Sequence, residues 1–460
     1  MKTLAPSQMH RLALLTLLAT ASALPATTPE LPAGSSCGFT LHPGESLPRL
    51  TLTDPGNHAW IVQSSPDLLH WTDQQTVRVF NGSLATPLLA DGTGGTHYFR
   101  SAWLPAAPDT LSTVALALKL PASTDSYANP VLPAAFRVPP ILGQDNTPAN
   151  NPVTNAGATL GRVLFYDKRL SLNQTVSCAS CHQQAHGFSD PAKFSTGFDG
   201  RLTSRNSMGL ANARWYQRRA FFWDERAATL EIQVLQPIQN TLEMGITLPA
   251  MTTRLASEPF YQDLFNRAFG TTTVTSDRIS LALSQFVRSI ISTNTKYDAG
   301  VASNFANFTA EETLGRRLFL GQTGNATCAT CHGTDNFVPG NTINNNGLEN
   351  PYLDKGLGEV SGRAQDEGLF KVPSLRNIAL TGPFMHDGRF ATLEAVVEFY
   401  NSGVIAHPNL SPPLRTRDGT PLRLNLTSAE KAAMVAFLKT LTDTSLPTDS
   451  RFSDPFNYGL

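Results

Sequence analysis

The sequence predicts a mainly α-helical protein of two related units, with a small all-β sandwich module in front of them. Three observations carry that prediction. Leu160-Gly-Arg-Val-Leu-Phe165 recurs as Leu314-Gly-Arg-Arg-Leu-Phe319, and each copy stands shortly before a Cys-x-x-Cys-His motif. Within each copy the apolar residues share one helical face: Leu160, Val163 and Leu164 in the first, Leu314, Leu318 and Phe319 in the second. Between residues about 35 and 120 the pattern changes to short stretches that alternate apolar and polar residues, which is the period of strands.

Taken in chain order, residues 1–23 read as an export signal. Lys2, His10 and Arg11 precede the apolar run Leu12 to Leu18, and Ala21-Ser22-Ala23 supplies small residues for cleavage. The run is too short to span a bilayer, and no later stretch is apolar for long enough. Residues 35–120 form the β module. "HAWIVQSS" and "THYFRSAWL" alternate, while "DPGN", "NGS" and "DGTGG" mark turns. The pattern resembles fibronectin-like modules appended to exported bacterial proteins. Residues 121–155, rich in Pro, Asn and Ala, lack a helical period and read as a linker. The helical units follow as 156–300 and 301–445. The repeat makes them one duplicated unit, because the flanks agree as well as the motifs.

Composition sets outer limits. The 460 residues allow about three domains at roughly 150 residues each. With 41% apolar and 15% charged residues the chain has enough to build cores. A net charge of -1 gives no nucleic-acid footprint. Four of the five cysteines lie in the two motifs, so Cys37 is the odd one and a disulfide framework is excluded.

Cys178/Cys181/His182 and Cys328/Cys331/His332 have the spacing of covalent haem attachment. Two thioethers need two thiols on one short turn, and the next His then faces the iron. A zinc site would leave the adjacent His unexplained. A redox dithiol pair belongs in a βαβ context, which is missing. The expectation is two cytochrome c-like haem domains, each with a covalent haem c and an axial His. Attachment of that kind fits export.

Residues 141–445 resemble the bacterial di-haem cytochrome c peroxidases and the related MauG-type enzymes. The resemblance rests on "LFYDKRLS…SCASCH", "FFWDERAATLEIQVLQPIQNTLEMG", "CATCHG" and "FKVPSLRNIALTGPFMHDGRFATLEAVVEFY", in the family's order. It implies that Trp223 lies between the haems and couples them. It makes the His182 haem the peroxidatic one, with Glu243 as the proton-moving carboxylate, Gln233 as a distal glutamine and Pro237 between them. Taken alone, Trp223 in its Phe221/Phe222 cluster reads as core packing, and a lone Glu in a helical region reads as a surface residue. Many such peroxidases carry a further His that blocks this haem at rest. The matching stretch "FSDPAKFSTGFDG" has none, and His186, one turn from His182, reads as a local hydrogen-bonding residue. The first haem is therefore expected to be open.

At the second haem the family's methionine ligand falls on Tyr400, as in the MauG-type enzymes. Leu393, Val396, Val397 and Tyr400 are spaced for one buried helical face. The bland alternative is a core tyrosine; Met385 and Met244 are the other ligands to weigh. A phenolate favours ferric iron where a thioether favours ferrous. His386 is expected to line this pocket. The resemblance also implies Ca²⁺ held by Asn206, Thr381 and Pro383, an all-oxygen set.

The function implied is reduction of hydrogen peroxide with electrons from a small donor protein, a cytochrome c or cupredoxin, in the periplasm. The alternatives are MauG-like oxidation of a partner protein, oxygenase chemistry on a polymer, and a non-enzymatic two-haem electron carrier. A homodimer fits the family.

Overall fold

The computed structural model describes residues 36–40, 49–65, 69, 72–87, 98–104, 113–121 and 124–457. The expected export signal lies outside the described residues. The chain divides into two compact units. One holds residues 1–120 with 257–260 and 456–460; the other holds 121–256 and 261–455.

In the first unit β1 (Ser36–Thr40), β2 (Arg49–Ser65), β3 (Thr72–Pro87) and β4 (Tyr98–Leu104) form one antiparallel sheet. β2 is central. β3 pairs along one side of it. On the other side β1 lies opposite Arg49–Thr53 and β4 opposite Ala59–Ser65. Trp60 and Val62, two apart on β2, are both buried, as strand alternation requires. The two stretches expected as strands lie in β2 and β4, but the sandwich expectation becomes a single sheet. A sandwich needs two packed sheets, and the described strands make one. Two turn signals also act differently. "DPGN" and "NGS" face each other across a register shift between Asp54 and Asn57 inside the β2–β3 pair. Pro55 has no N–H to give to a ladder, so it is accommodated at a bulge while pairing continues on both sides. "DGTGG" lies outside the described residues.

The second unit begins with the stretch expected as a linker. It has no long helix, yet it is more than a spacer. Tyr127, Phe136 and Ile141 are buried, and Phe136 packs edge-on against Trp215 at 4.8 Å. Apolar anchors separated by Pro and Asn have no period, which is why composition alone reads as a tether.

The duplicated helices come next. α1 (Asn155–Tyr166) packs on α2 (Ser276–Ser289). In the second copy α3 (Ala310–Phe319) packs on α5, with α4 (Leu393–Glu398) and α5 (Ser428–Lys439) following in the chain. Thr154 caps α1 through its side chain. Thr309 with Glu312, and Thr427 with Glu430, form capping boxes on α3 and α5.

Both pairs cross at a glycine. A Cβ on Gly161 would stand 2.0 Å from the Ala282 carbonyl oxygen, and one on Gly315 would stand 1.9 Å from that of Ala433. Beside each crossing two phenylalanines meet: Phe165 and Phe286 at 5.2 Å, Phe319 and Phe437 at 5.1 Å. The repeat thus continues into the partner helices as Ala282/Phe286 and Ala433/Phe437. Gly315→Ala is expected to destabilise the protein by about 1–3 kcal/mol, because overpacking forces backbones apart. Denaturant unfolding of the haem-loaded protein measures it. An unchanged midpoint would mean that the crossing is not tight.

No helix among the described residues is long and apolar enough to cross a membrane.

Candidate active site

Each Cys-x-x-Cys-His motif folds as one short helical turn. Cys178–Cys181 is an α-turn opened by a Ser177/Ser180 capping box, and Cys328–Thr330 is a 3₁₀ turn. In both, the His N–H donates to the first cysteine's carbonyl at 2.9 Å. Burial pushes the thiols of Cys178 and Cys328 up to about 12 and that of Cys181 to about 11. None of the four motif cysteines is in a disulfide.

The imidazoles are held alike. Nδ1 of His182 lies 3.0 Å from the Phe188 carbonyl oxygen, and Nδ1 of His332 lies 3.3 Å from that of Phe337. Burial lowers both pKa values, His332 to about 4, so both rings are neutral at pH 7. A neutral ring that donates through Nδ1 leaves Nε2 as the ligand atom. Phe188 and Phe337 have φ of 62° and 53°, a region that bulky residues seldom adopt. Their rings pack on Phe165 and Phe319 at 6.1 and 5.8 Å. The packing holds a strained backbone that aims each carbonyl at its histidine. Each motif thus sets a neutral His, next in the chain to its cysteine pair, against a cavity, an arrangement that fits a haem apiece.

A cavity of about 370 Å³ is lined by His182, Trp223, Gln233, Pro237 and Glu243. The Glu243 carboxylate accepts a hydrogen bond from Asn240 Nδ2 at 2.7 Å. Burial raises its pKa above the usual carboxylate range, against the charge of Arg226 and the Asn240 bond. Arg226, also in the lining, carries its guanidinium 3.5 Å from the Phe222 ring centroid. Among the described lining residues His182 is the one histidine; His186 is not among them.

The other cavity, of about 260 Å³, is lined by Cys328, Cys331, His332, Met385, His386 and Tyr400. Leu393, Val396 and Val397 line it too, so the α4 face read from the sequence points into it. After Glu398 the helix widens into a π-turn, Phe399–Gly403, that carries Tyr400; such turns recur at functional sites. The Tyr400 hydroxyl accepts from Asn346 Nδ2 at 3.4 Å, and burial pushes its pKa up to about 12. Asn346 Nδ2 also lies 3.6 Å from the Met385 sulfur. Met244 is buried but lines neither cavity. His386 stacks on Phe370 at 3.9 Å.

Trp223, Asn206 and Lys371 line both cavities. The Trp223 indole N–H donates to the Asn206 carbonyl at 2.8 Å. Thr381 and Pro383 join Asn206 in the lining of the second cavity. Asn206 Nδ2 donates to the carbonyls of Ala192 (3.2 Å) and Lys193 (3.3 Å), bonds that do not use its Oδ1. An amide oxygen and backbone carbonyls suit Ca²⁺.

A further register of the repeat was within reach of the sequence. Trp223-Asp-Glu-Arg226 precedes Ala228-Thr-Leu-Glu231, and His386-Asp-Gly-Arg389 precedes Ala391-Thr-Leu-Glu394. The structure treats the two alike. Phe221 bridges to Ala227 and Phe384 to Phe390, and Thr229 and Thr392 both cap the helices that follow. Eight residues beyond each Thr stand Pro237 and Tyr400. One position therefore lines both cavities, with a ring that cannot ligate in the first and a phenol in the second.

Residues 155–305 and 309–411 match the family model described as di-haem cytochrome c peroxidase. The methylamine utilization protein MauG of Methylorubrum extorquens is 34% identical over 313 residues, 67% of this chain and 84% of that protein. A cytochrome c551 peroxidase of Nitrosomonas europaea is 35% identical over 289 residues, 62% of this chain and 79% of that protein. Among solved structures, a MauG-like protein associated with microbial copper homeostasis is 35% identical, with a TM-score of 0.61 over 70% of this chain and 99% of that one.

Proposed function

This chain belongs to the di-haem cytochrome c peroxidase family, and from that premise we propose that it reduces hydrogen peroxide to water at the His182 cavity. The observation that carries the reading is the meeting of Glu243, Gln233 and Pro237 in the lining of the cavity that His182 shares. The haem held there would supply the iron that takes up peroxide. The chain handles the protons. The Glu243 carboxylate takes a proton from one peroxide oxygen and returns it to the leaving oxygen, while the Gln233 amide orients the pair. Two electrons and two further protons complete two molecules of water. A small cytochrome c or cupredoxin supplies the electrons at the second haem, and Trp223, in the lining of both cavities, couples the two sides.

The same reading assigns covalent haem c to Cys178/Cys181 and Cys328/Cys331, iron ligation to His182, His332 and Tyr400, and Ca²⁺ to Asn206, Thr381 and Pro383. It assigns export to the periplasm, a homodimer, and the part of a fibronectin-like appendage without chemistry to the β module. Steady-state peroxide turnover with reduced donor proteins, without pre-reduction, tests it. Turnover is expected at once; no turnover with any donor would overturn the reading.

A second reading is MauG-like oxidation of a partner protein. Tyr400 in the lining of the second cavity favours it. Peroxide consumed only when a partner protein is present would select it.

A further inference from the structure

Among the described residues Lys371 forms no ion pair of its own, although the Glu225 carboxylate lies near enough to act on it. Its ammonium Nζ donates to the Ala220 carbonyl at 3.2 Å and stands 2.7 Å from the centroid of the Tyr216 ring. Glu225 is already engaged by the Tyr216 hydroxyl and by Arg218 Nε, the latter at 2.6 Å. Tyr216 and Phe221, the rings around Nζ, line the first cavity and not the second. Burial pushes the ammonium pKa well down. A half-buried cation without an ion pair of its own is costly, so its retention needs a reason.

The internal repeat supplies one. Met208-Gly-Leu-Ala-Asn212 answers Pro373-Ser-Leu-Arg-Asn377. The carbonyls of Met208 and Pro373 support His182 and His332. Asn212 and Asn377, with φ of 60° and 62°, donate to the carbonyls of Ile290 and Leu441 that follow the crossing helices. Two residues before Met208 is Asn206, and two before Pro373 is Lys371. The pair is exchanged across the molecule. Asn206 N–H donates to the His386 carbonyl and Lys371 N–H to that of Trp223, both at 2.8 Å. Trp223 and His386 are themselves equivalents. In the same register Ala220 answers Pro383, each preceding the bridged Phe221 or Phe384.

We propose that Lys371 stands, in the first half, where the second half is read as binding its divalent cation, and that its ammonium is kept charged by pairing with a carboxylate side chain of the haem in the His182 cavity. In that reading Asn206 Oδ1 and the Pro383 carbonyl belong to the cation set of one half. Lys371 Nζ on the Ala220 carbonyl is its counterpart in the other. Lys371 is a positioning residue: it sets the charge beside the first haem and does not touch peroxide. A cation there stabilises the more negative, reduced state and so raises the first haem's reduction potential.

The inference rests on the haem reading, so its test is independent of peroxide turnover. Optical redox titrations would be run at fixed Ca²⁺ on the haem-loaded protein, on Lys371→Met and on Lys371→Arg, with haem content measured in each. The expected result is a lower midpoint for the His182 haem in Lys371→Met, an unmoved His332 haem, and restoration in Lys371→Arg. A merely structural lysine would lose haem or stability in Lys371→Met without that selective, charge-dependent shift. If Lys371→Met fails to load haem, Lys371→Gln keeps a donor for the Ala220 carbonyl without the charge. An unchanged first midpoint in the loaded neutral variant overturns the proposal, whether or not the protein turns over peroxide.

Discussion

Glu243→Gln is expected to lower peroxide turnover about 10²–10⁴-fold, the usual worth of a positioned general acid–base, with both haems retained. Gln keeps the shape and still offers a carbonyl to Asn240, so the packing of the turn survives. It removes only the group that can take and return a proton. The burial that raises the Glu243 pKa adds a second readout. As a base the group must be ionised, so turnover should rise with pH through a pKa above the ordinary carboxylate range, and that limb should be missing in the variant. Stability carries the opposite sign. A carboxyl whose folded pKa is raised contributes stability below its unfolded pKa, and that contribution is lost as pH rises through the folded value. The variant, neutral throughout, should be less destabilised than the parent on the alkaline side of that window. Turnover within threefold of the parent would remove Glu243 from the proton path.

The sequence was most readable where chemistry is local. A Cys-x-x-Cys-His motif has its geometry within one turn, and the α4 face of Leu393, Val396 and Val397 follows from helical period alone. What escaped was set by distance in the chain. The glycine crossings pair Gly161 with Ala282 and Gly315 with Ala433, and a glycine's neighbour cannot be read from its own position. The left-handed Phe188 and Phe337 break the usual preference of their residue type, so no propensity foretells them. Residues 121–155 lack a period because their anchors are single buried rings. In the β module the turn signals of "DPGN" and "NGS" were sound, but strand pairing on both sides outweighed them. The equivalence of Pro237 and Tyr400 was present in the sequence as a repeated Ala-Thr-Leu-Glu. It needed only a comparison of the halves beyond the haem motifs.

That equivalence gives the second large effect. Tyr400→Phe is expected to abolish the low-spin electron-spin signal of the second haem and leave the high-spin signal of the first unchanged. The phenol's own pKa, pushed up to about 12, means that it is uncharged at neutral pH unless a Lewis acid removes its proton. Phe keeps the ring against Phe399 and its cluster and removes only the oxygen, so a change in spin state cannot be ascribed to lost packing. The reciprocal change is sharper. Pro237→Tyr puts a phenol at the matching position in the first cavity, on a helix start that does not require proline. If one register governs both halves, the first haem should move toward low spin and peroxide turnover should fall with it, although Glu243 and Gln233 are untouched. A low-spin signal that survives Tyr400→Phe would return Met385 as the ligand, since it is the other side chain near Asn346 in that cavity. A first haem that stays high-spin in Pro237→Tyr would mean that its openness is set by the surrounding shell of Glu243, Gln233 and Arg226, and not by what stands at one position of the repeat.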